Sequence, residues 1–164
     1  MSNQVLFQFE ALPKNLEELK RLKEGSLKTP FETAALTVLS LLRYSEDSKD
    51  AIEMLNYLRG PRPLSNYDIQ FIKDRFRDKD YVPKSYFEGT SPQNSYELAP
   101  PYKITVYEDK YSYDQEGYAK LYLKSSGADS PRPVVLRIKG DTWYLWEQLL
   151  LAGIREPASL DPWA

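Results

Sequence analysis

The sequence predicts an α+β protein in which about four helices come first and a four-stranded antiparallel β-meander packs on them. Three observations lead to this fold class. Apolar residues recur at helical spacing up to about residue 78, a proline-rich stretch follows, and apolar and polar residues alternate from residue 102 onward. Helices that are segregated in sequence from an antiparallel sheet are typical of the α+β class.

The helical part, residues 14–78, is expected to hold four helices with recognisable starting residues. A side-chain oxygen at the N-cap accepts a hydrogen bond from a free amide of the first turn. The second helix has the strongest start, because Thr29 is followed by Pro30 and Glu32, which combines a capping box with proline at the first helical position. The predicted N-caps are Asn15, Thr29, Ser45 or Ser48, and Ser65.

The second half of the chain is predicted to form the sheet. Residues 79–101 carry four prolines and no clean period, so we interpret them as a connecting segment. Residues 102–148 alternate as strands do, and a C-terminal tail, 149–164, follows. Whether Val5–Phe9 adds a further strand to this sheet is left open. We interpret 1–164 as a single domain, because a lone four-stranded sheet needs helices to cover its apolar face.

The last predicted strand begins after a tight hairpin turn at Gly140-Asp141. Side chains alternate along a strand, so its aromatic residues are divided between the two faces of the sheet. One face is expected to carry Trp143 and Leu145, and the other Tyr144 and Trp146.

The charge balance argues against a nucleic-acid partner. The chain has 22 Lys+Arg against 24 Asp+Glu, a net charge of −2. Residues 1–80 hold 13 charges of each sign and residues 101–147 hold 7 of each. Proteins that neutralise phosphates usually show a basic excess along the chain. A basic face would require an acidic face elsewhere to balance it.

Cysteine and histidine are both absent from the sequence. Their absence excludes disulfides, thiolate zinc sites, cysteine nucleophiles and serine–histidine relays, so we expect no cofactor and no catalytic residue of these types. Catalysis by Asp, Glu or Tyr stays open, although we favour a non-enzymatic protein. The chain lacks a signal sequence and an apolar run of membrane-spanning length, so we expect a cytoplasmic protein without a membrane partner.

The loop between residues 124 and 133 is the first candidate interaction site. It combines hydroxyls, a glycine, an acid and an arginine, which together can form a backbone nest for an anion. The alternative, which we favour, is a hairpin loop whose side chains bond their own backbone. The candidate residues are Ser125, Ser126, Asp129 and Arg132.

A concentration of aromatic residues is the second candidate site. Seven of the 13 tyrosines fall between residues 96 and 122. Tyr118 and Tyr122 share a predicted strand face with two lysines, and Trp146 lies on the closing strand. Such a face can stack nucleic-acid bases. The alternative is that these aromatics are simply good strand residues, and the neutral charge balance favours it.

Two further features are weaker candidates for a metal-binding or catalytic site. The acidic loop 108–116 offers oxygen ligands, but its spacing does not match the calcium-binding loop, so we expect a solvated hairpin tip. Asp141 and Glu147 lie near the tryptophans and could transfer protons in an apolar pocket. Most acids beside aromatic strand residues face solvent, which is the outcome we expect.

Four stretches of the chain resemble a known family. They are Leu27–Leu36, Lys124–Pro133, Trp143–Gln148 and Asp161–Ala164. Together they are similar to a family of small proteins, encoded mainly in Firmicutes and classed as a domain of unknown function, and the similarity covers nearly the whole chain. The resemblance assigns no catalytic residue and implies a bacterial, intracellular setting.

These observations favour a non-enzymatic interaction protein. It would bind another protein, or its own copy, through the aromatic sheet or the C-terminal tail, because exposed aromatics suit protein contacts. One alternative is a small-ligand or enzymatic pocket between sheet and helices that uses Asp, Glu or Tyr. A weaker alternative is single-stranded nucleic-acid binding on the aromatic and basic sheet face.

Overall fold

Four helices and five strands make up the part of the chain, residues 3–163, that the computed structural model describes. The helices are α1 (Leu16–Arg21), α2 (Pro30–Arg43), α3 (Ser48–Arg59) and α4 (Asn66–Phe76). The strands are β1 (Asn3–Phe9), β2 (Tyr102–Glu108), β3 (Tyr118–Leu123), β4 (Arg132–Lys139) and β5 (Thr142–Gln148). No helix among these residues is long and apolar enough to cross a membrane.

The sheet contains one strand more than the four expected. Its order is β1-β2-β3-β4-β5, with antiparallel neighbours throughout. The additional strand is β1, which pairs with β2 from Asn3 opposite Glu108 to Phe9 opposite Tyr102. The α+β class is confirmed, with the helices preceding the strands β2 to β5. The short apolar segment near the N-terminus is therefore an integral strand, because β2 offers it a free edge.

Three of the four predicted helix starts are confirmed. The side chains of Asn15, Thr29 and Ser65 each accept a hydrogen bond from the amide three residues later. The third helix is capped by Asp47 rather than by Ser45 or Ser48, since the Asp47 carboxylate accepts from the Asp50 amide at 3.0 Å. A carboxylate is as good an N-cap as a hydroxyl, so composition alone did not separate these positions.

The Thr29 cap gives a first testable prediction. Thr29 Oγ1 accepts from the Glu32 amide at 3.3 Å, and the Thr29 amide donates to Glu32 Oε1 at 3.0 Å. Replacing Thr29 by alanine leaves a helix N-terminal amide without this acceptor, so we expect a loss of about 1 kcal/mol of unfolding free energy in urea titration. Ser45→Ala is the control and should change stability by less than about 0.5 kcal/mol. Equal losses in both variants would contradict this assignment.

One face of the sheet is buried against the helices. Helix α2 lies at the centre of this contact and touches β2, β3, β4 and β5. The strand residues that point toward it alternate along each strand, as expected for a half-buried sheet. They are Ile104, Val106, Ala119, Leu121, Leu123, Val134, Leu136 and Leu145, all of which are buried.

The connecting segment, residues 79–101, contributes to the same core. Four of its aromatic residues are buried in that core: Tyr81, Tyr86, Phe87 and Tyr96. The Tyr96 ring stacks on Tyr81 with centroids 5.6 Å apart, and its hydroxyl donates to the Arg155 carbonyl at 2.6 Å. The segment therefore ties the helices to the C-terminal tail as well as connecting helices to strands.

The two edges of the sheet differ. Along β5 the Trp143 amide donates to the Leu27 carbonyl at 2.9 Å, and the Thr33 hydroxyl donates to the Trp143 carbonyl at 2.7 Å. Arg62 donates to the Trp146 carbonyl further along the same edge. Strand β1 forms the opposite edge, and among residues 3–163 no strand pairs with its outer side. Of the two edges, the β5 edge is thus the one to which other described parts of the chain are hydrogen-bonded.

Candidate functional site

The sheet face turned away from the helices, which we call the outer face, carries aromatic rings and cations. Strand pairing sets Tyr107 opposite Tyr122 and Tyr118 opposite Arg137 on this face. The cations among its side chains are Lys103, Lys120, Lys124, Arg137 and Lys139. The charge count along the chain did not reveal this basic face, because the count adds the charges of both faces and the turns.

Four side chains at one end of the outer face form what we call the Trp146 cluster: Arg62, Tyr118, Arg137 and Trp146. The Arg137 guanidinium carbon lies 5.2 Å from the Tyr118 ring centroid and 4.7 Å from that of Trp146. The two rings meet edge to face with centroids 5.6 Å apart. The Arg62 guanidinium carbon lies 3.7 Å above the Trp146 ring. Two guanidinium groups therefore share one indole.

A β-bulge lies at Trp146. Leu136 pairs with Leu145, but Val135 pairs with Glu147, so Trp146 is the extra residue on β5. A bulge bends the strand and changes the direction in which a side chain points. The predicted division of faces is confirmed for Leu145, which is buried, and for Trp146, which contacts Tyr118 and Arg137 on the outer face.

The end of helix α3 brings Arg62 to the same place. Gly60 ends the helix with φ 62°, and a Cβ atom added to it would lie 2.4 Å from the Tyr144 ring. The loop that follows runs beside β5, where Arg62 donates to the Trp146 carbonyl. Arg59 Nε donates in turn to the Arg62 carbonyl at 2.9 Å. Glycine at position 60 is what permits this close approach of helix and strand.

The cluster opens onto a cleft of about 460 Å³. The charged residues that line the cleft are Arg59, Arg62, Arg137 and Lys139, with Tyr144 and Trp146 as the aromatic ones. No carboxylate is among the residues that line it. Its volume lies within the range of small-molecule and side-chain pockets, roughly 300–1,000 Å³. The lining is suited to a negatively charged group.

One of the four cations is already neutralised. Arg59 lies 3.7 Å from the Asp68 carboxylate. Burial lowers the pKa of Arg59 and the nearby Arg62 charge lowers it further, while Asp68 opposes both effects. Hydrogen bonds from Ser65 lower the pKa of Asp68, and the positive charges of Arg59 and Arg62 lower it further. Arg62, Arg137 and Lys139 are therefore the cations of the cleft that form no ion pair within residues 3–163.

The N–H donors of Arg137 are not used by any other residue that the structure describes. Neither its guanidinium nor the Lys139 ammonium makes a hydrogen bond or an ion pair with any side chain or carbonyl of residues 3–163. Stacking on aromatic rings holds the guanidinium plane but leaves its in-plane N–H groups unused. Arg137 is thus positioned by packing and available for an anion.

The two serines of the predicted loop site bind the connecting segment. Ser125 is buried, and its hydroxyl donates to Ser85 Oγ at 2.7 Å. Ser126 Oγ lies 3.1 Å from the Thr90 hydroxyl and 3.2 Å from the Ser85 carbonyl. These hydroxyls hold the loop against residues 85–90.

The other two loop candidates bind the C-terminal tail. Asp129 forms an exposed ion pair with Arg155. The Arg132 guanidinium donates to the carbonyls of Ala152, at 3.3 Å, and Gly153, at 3.1 Å. The structure therefore directs Ser125, Ser126, Asp129 and Arg132 toward separate partners rather than toward a common point.

The aromatic candidates separate into two places. Tyr118 and Trp146 belong to the Trp146 cluster, whereas Tyr122 lies further along β3 opposite Tyr107, whose ring is covered by the Lys124 ammonium at 4.5 Å. Sequence reasoning missed Arg62, which lies 84 residues before Trp146 in the chain. No local pattern marks it, because only the turn after Gly60 carries it to the sheet.

The remaining candidate acids lie at exposed or half-buried positions. Asp141 is exposed at the hairpin turn, where a hydrogen bond from Lys28 at 3.2 Å lowers its pKa. Glu147 is exposed beside Trp146. In the acidic loop, the Asp109 carboxylate accepts from the Tyr111 amide at 2.9 Å and forms a turn. Within residues 3–163, no three acidic side chains converge to hold a metal ion.

Comparison with known proteins gives one match. The model of a family described as a domain of unknown function (DUF6935) matches residues 11–158. No curated protein and no solved structure matches the chain. The resemblance to a family of unknown function is thereby confirmed, and the match takes in every residue of the Trp146 cluster.

Proposed function

The chain belongs to the DUF6935 family, whose function is not known, and we propose that it is a non-enzymatic binding protein that holds an acidic segment of a partner protein at the Trp146 cluster. The observation that carries this proposal is Arg137, which lies 5.2 Å from the Tyr118 ring and 4.7 Å from the Trp146 ring. Packing fixes its guanidinium and leaves the donors free, which prepares it for a carboxylate.

The shared indole favours an anionic occupant. The guanidinium carbons of Arg62 and Arg137 lie 3.7 and 4.7 Å from the same ring centroid, so two like charges are held close together. A carboxylate bound at Arg137 would reduce their repulsion and accept bidentate hydrogen bonds. The adjacent cleft of about 460 Å³ has room for such a group and part of its chain.

The stacked cations favour an acidic peptide over a nucleic acid. Bases bind sheet surfaces by stacking on open aromatic faces. Here Tyr107 is covered by Lys124, Tyr118 by Arg137, and Trp146 by both Arg137 and Arg62. A base would have to displace these cations, whereas a carboxylate can bind them where they are. Arg, Trp and Tyr are also the residues that contribute most to protein interfaces.

The same residues favour binding over catalysis. Arginine remains protonated in proteins, so the groups that dominate the cleft can hold an anion but do not exchange protons with it. The absence of Cys and His removes the commonest nucleophiles and bases. The proposal includes a bacterial cytoplasmic setting, which rests on the family resemblance and the cysteine-free sequence.

Binding of a hexaglutamate peptide tests the proposal. We expect a fluorescein-labelled hexaglutamate to raise its anisotropy on titration with the protein, and Arg137→Gln to weaken this binding at least about tenfold. Hydrogen bonds to charged groups contribute about 1.5–3 kcal/mol, and tenfold corresponds to about 1.4 kcal/mol. The measurement is the dissociation constant at low and at physiological salt.

Arg77→Gln is the matched control, because Arg77 is an exposed arginine beyond the end of α4 that pairs with Asp74 at 3.5 Å. It should leave the dissociation constant within about twofold of the wild-type value, since rim charges act mainly on association rates. Equal weakening by both variants would mean general charge attraction and would overturn the site. Tighter binding of a labelled oligothymidylate, dependent on Arg137, would replace the acidic segment with nucleic acid.

A further inference from the structure

Strand β1 is an edge strand without the usual protection. Its sequence, Asn3 to Phe9, contains no charged residue and no proline. Leu6 is 53% exposed and Val5 is 36% exposed. Natural edge strands usually carry lysine, proline or a bulge that prevents pairing with another chain. The free backbone groups of β1 are therefore a template for one more strand.

The sequence of β1 is complementary to itself. An antiparallel copy centred on Leu6 sets Leu6 opposite Leu6, Val5 opposite Phe7, Gln4 opposite Gln8 and, at the ends of the strand, Asn3 opposite Phe9. Side chains that are directly opposite in an antiparallel pair point to the same face, so at the five central positions, residues 4–8, apolar residues meet apolar ones and amides meet amides. The lack of charge also means that no like charges face each other across the pair.

We propose that β1 is a self-association surface, through which two copies of the chain join by antiparallel β1–β1 pairing about a two-fold axis at Leu6. The two five-stranded sheets would then form one continuous sheet. Association stops at two copies, because the β5 edge of each copy is already covered. There Thr33 and Arg62 donate hydrogen bonds to β5, and the Leu27 carbonyl accepts one from it. This inference is independent of the function proposed for the Trp146 cluster.

The geometry also determines how the dimer presents its surfaces. Opposite residues of an antiparallel pair share a face, so the two-fold axis is perpendicular to the sheet and both outer faces lie on the same side. The two Trp146 clusters would be at the far ends of that surface, since β5 is the strand most distant from β1. A partner with two acidic segments could then engage both copies.

A single introduced cysteine tests the pairing directly, because the chain has none of its own. Opposite Cβ atoms in an antiparallel pair are about 4.5–5.5 Å apart, close to the separation that a disulfide requires. Leu6→Cys should therefore form a covalent dimer under mild oxidation at least tenfold faster than Leu160→Cys, whose parent residue is similarly exposed at 56%. Equal rates would overturn the proposal.

Charge at position 6 gives a second, equilibrium test. By sedimentation equilibrium we expect the wild type to dimerise, Leu6→Lys and Leu6→Glu each to weaken the dimer at least tenfold, and a mixture of the two to restore it. Leu160→Lys is the control and should leave dimerisation unchanged. Circular dichroism of each variant checks that the monomer is folded. A wild type that is monomeric up to about 1 mM, or a dimer unaffected by both Leu6 variants, would overturn the proposal.

Discussion

Replacing Tyr96 by alanine is expected to lower the free energy of unfolding by about 3–5 kcal/mol, the range for removing a buried aromatic ring. Tyr96 is 0% exposed, stacks on Tyr81 and donates its hydroxyl to the Arg155 carbonyl. Removing the ring leaves a cavity between the connecting segment and the C-terminal tail. Urea titration followed by tryptophan fluorescence measures the loss.

Two variants separate the ring from its hydroxyl. Tyr96→Phe keeps the ring and removes only the donor to Arg155, so it should cost about 1–2 kcal/mol. Tyr67→Ala removes a tyrosine that is 76% exposed and should cost less than about 0.5 kcal/mol. A loss below about 1 kcal/mol for Tyr96→Ala would contradict the finding that the connecting segment is part of the core.

The features that the sequence predicted well depend on neighbouring residues. The Thr29 capping box is formed by residues three apart, and the hairpin at Gly140 pairs Lys139 with Thr142 across a two-residue turn. The buried faces of β3 and β4 follow from alternation within each strand. Such patterns carry their structural meaning within a few residues, so a single sequence suffices to interpret them.

The features that the sequence did not predict depend on distant partners. Strand β1 finds its place only because Asn3 to Phe9 pairs with residues 102–108, about a hundred residues later. The connecting segment has no period, and Ser95 and Tyr96 adopt positive φ values of 55° and 54° as the chain turns inward. The segment belongs to the core because its aromatic residues pack there after the chain folds. No local sequence pattern predicts this packing.

The candidate site shows the same division. Alternation predicted that Tyr118 and Tyr122 share a face with lysines, and pairing with β4 then adds Arg137 opposite Tyr118. Alternation also put Trp146 on the face opposite Leu145, whereas the bulge beside it and the turn that delivers Arg62 belong to the tertiary structure. The neutral charge count also concealed the basic outer face, because the acidic turns and loops balance it in the sum.

Replacing Gly60 by alanine is the second change for which we expect a large effect. Gly60 has φ 62° and ψ −119°, a conformation that residues with a side chain rarely adopt and that costs them about 1–3 kcal/mol. The added Cβ would also lie 2.4 Å from the Tyr144 ring, and overpacking of this kind costs about 1–3 kcal/mol more. We therefore expect Gly60→Ala to lower the free energy of unfolding by roughly 2–6 kcal/mol in urea titration.

Gly140→Ala distinguishes the two causes, because Gly140 also has a positive φ, 65°, but a Cβ added there would have no atom within 4 Å. It should carry the backbone cost alone, about 1–2 kcal/mol. A Gly60→Ala loss no larger than that of Gly140→Ala would mean that the Tyr144 ring moves aside at little cost and would contradict tight packing there. In that case the cleft, which Tyr144 lines, changes shape, and hexaglutamate binding should weaken for Gly60→Ala while Gly140→Ala leaves it unchanged. Stability and binding measured on the same two variants therefore report whether the end of α3 holds the cleft in shape.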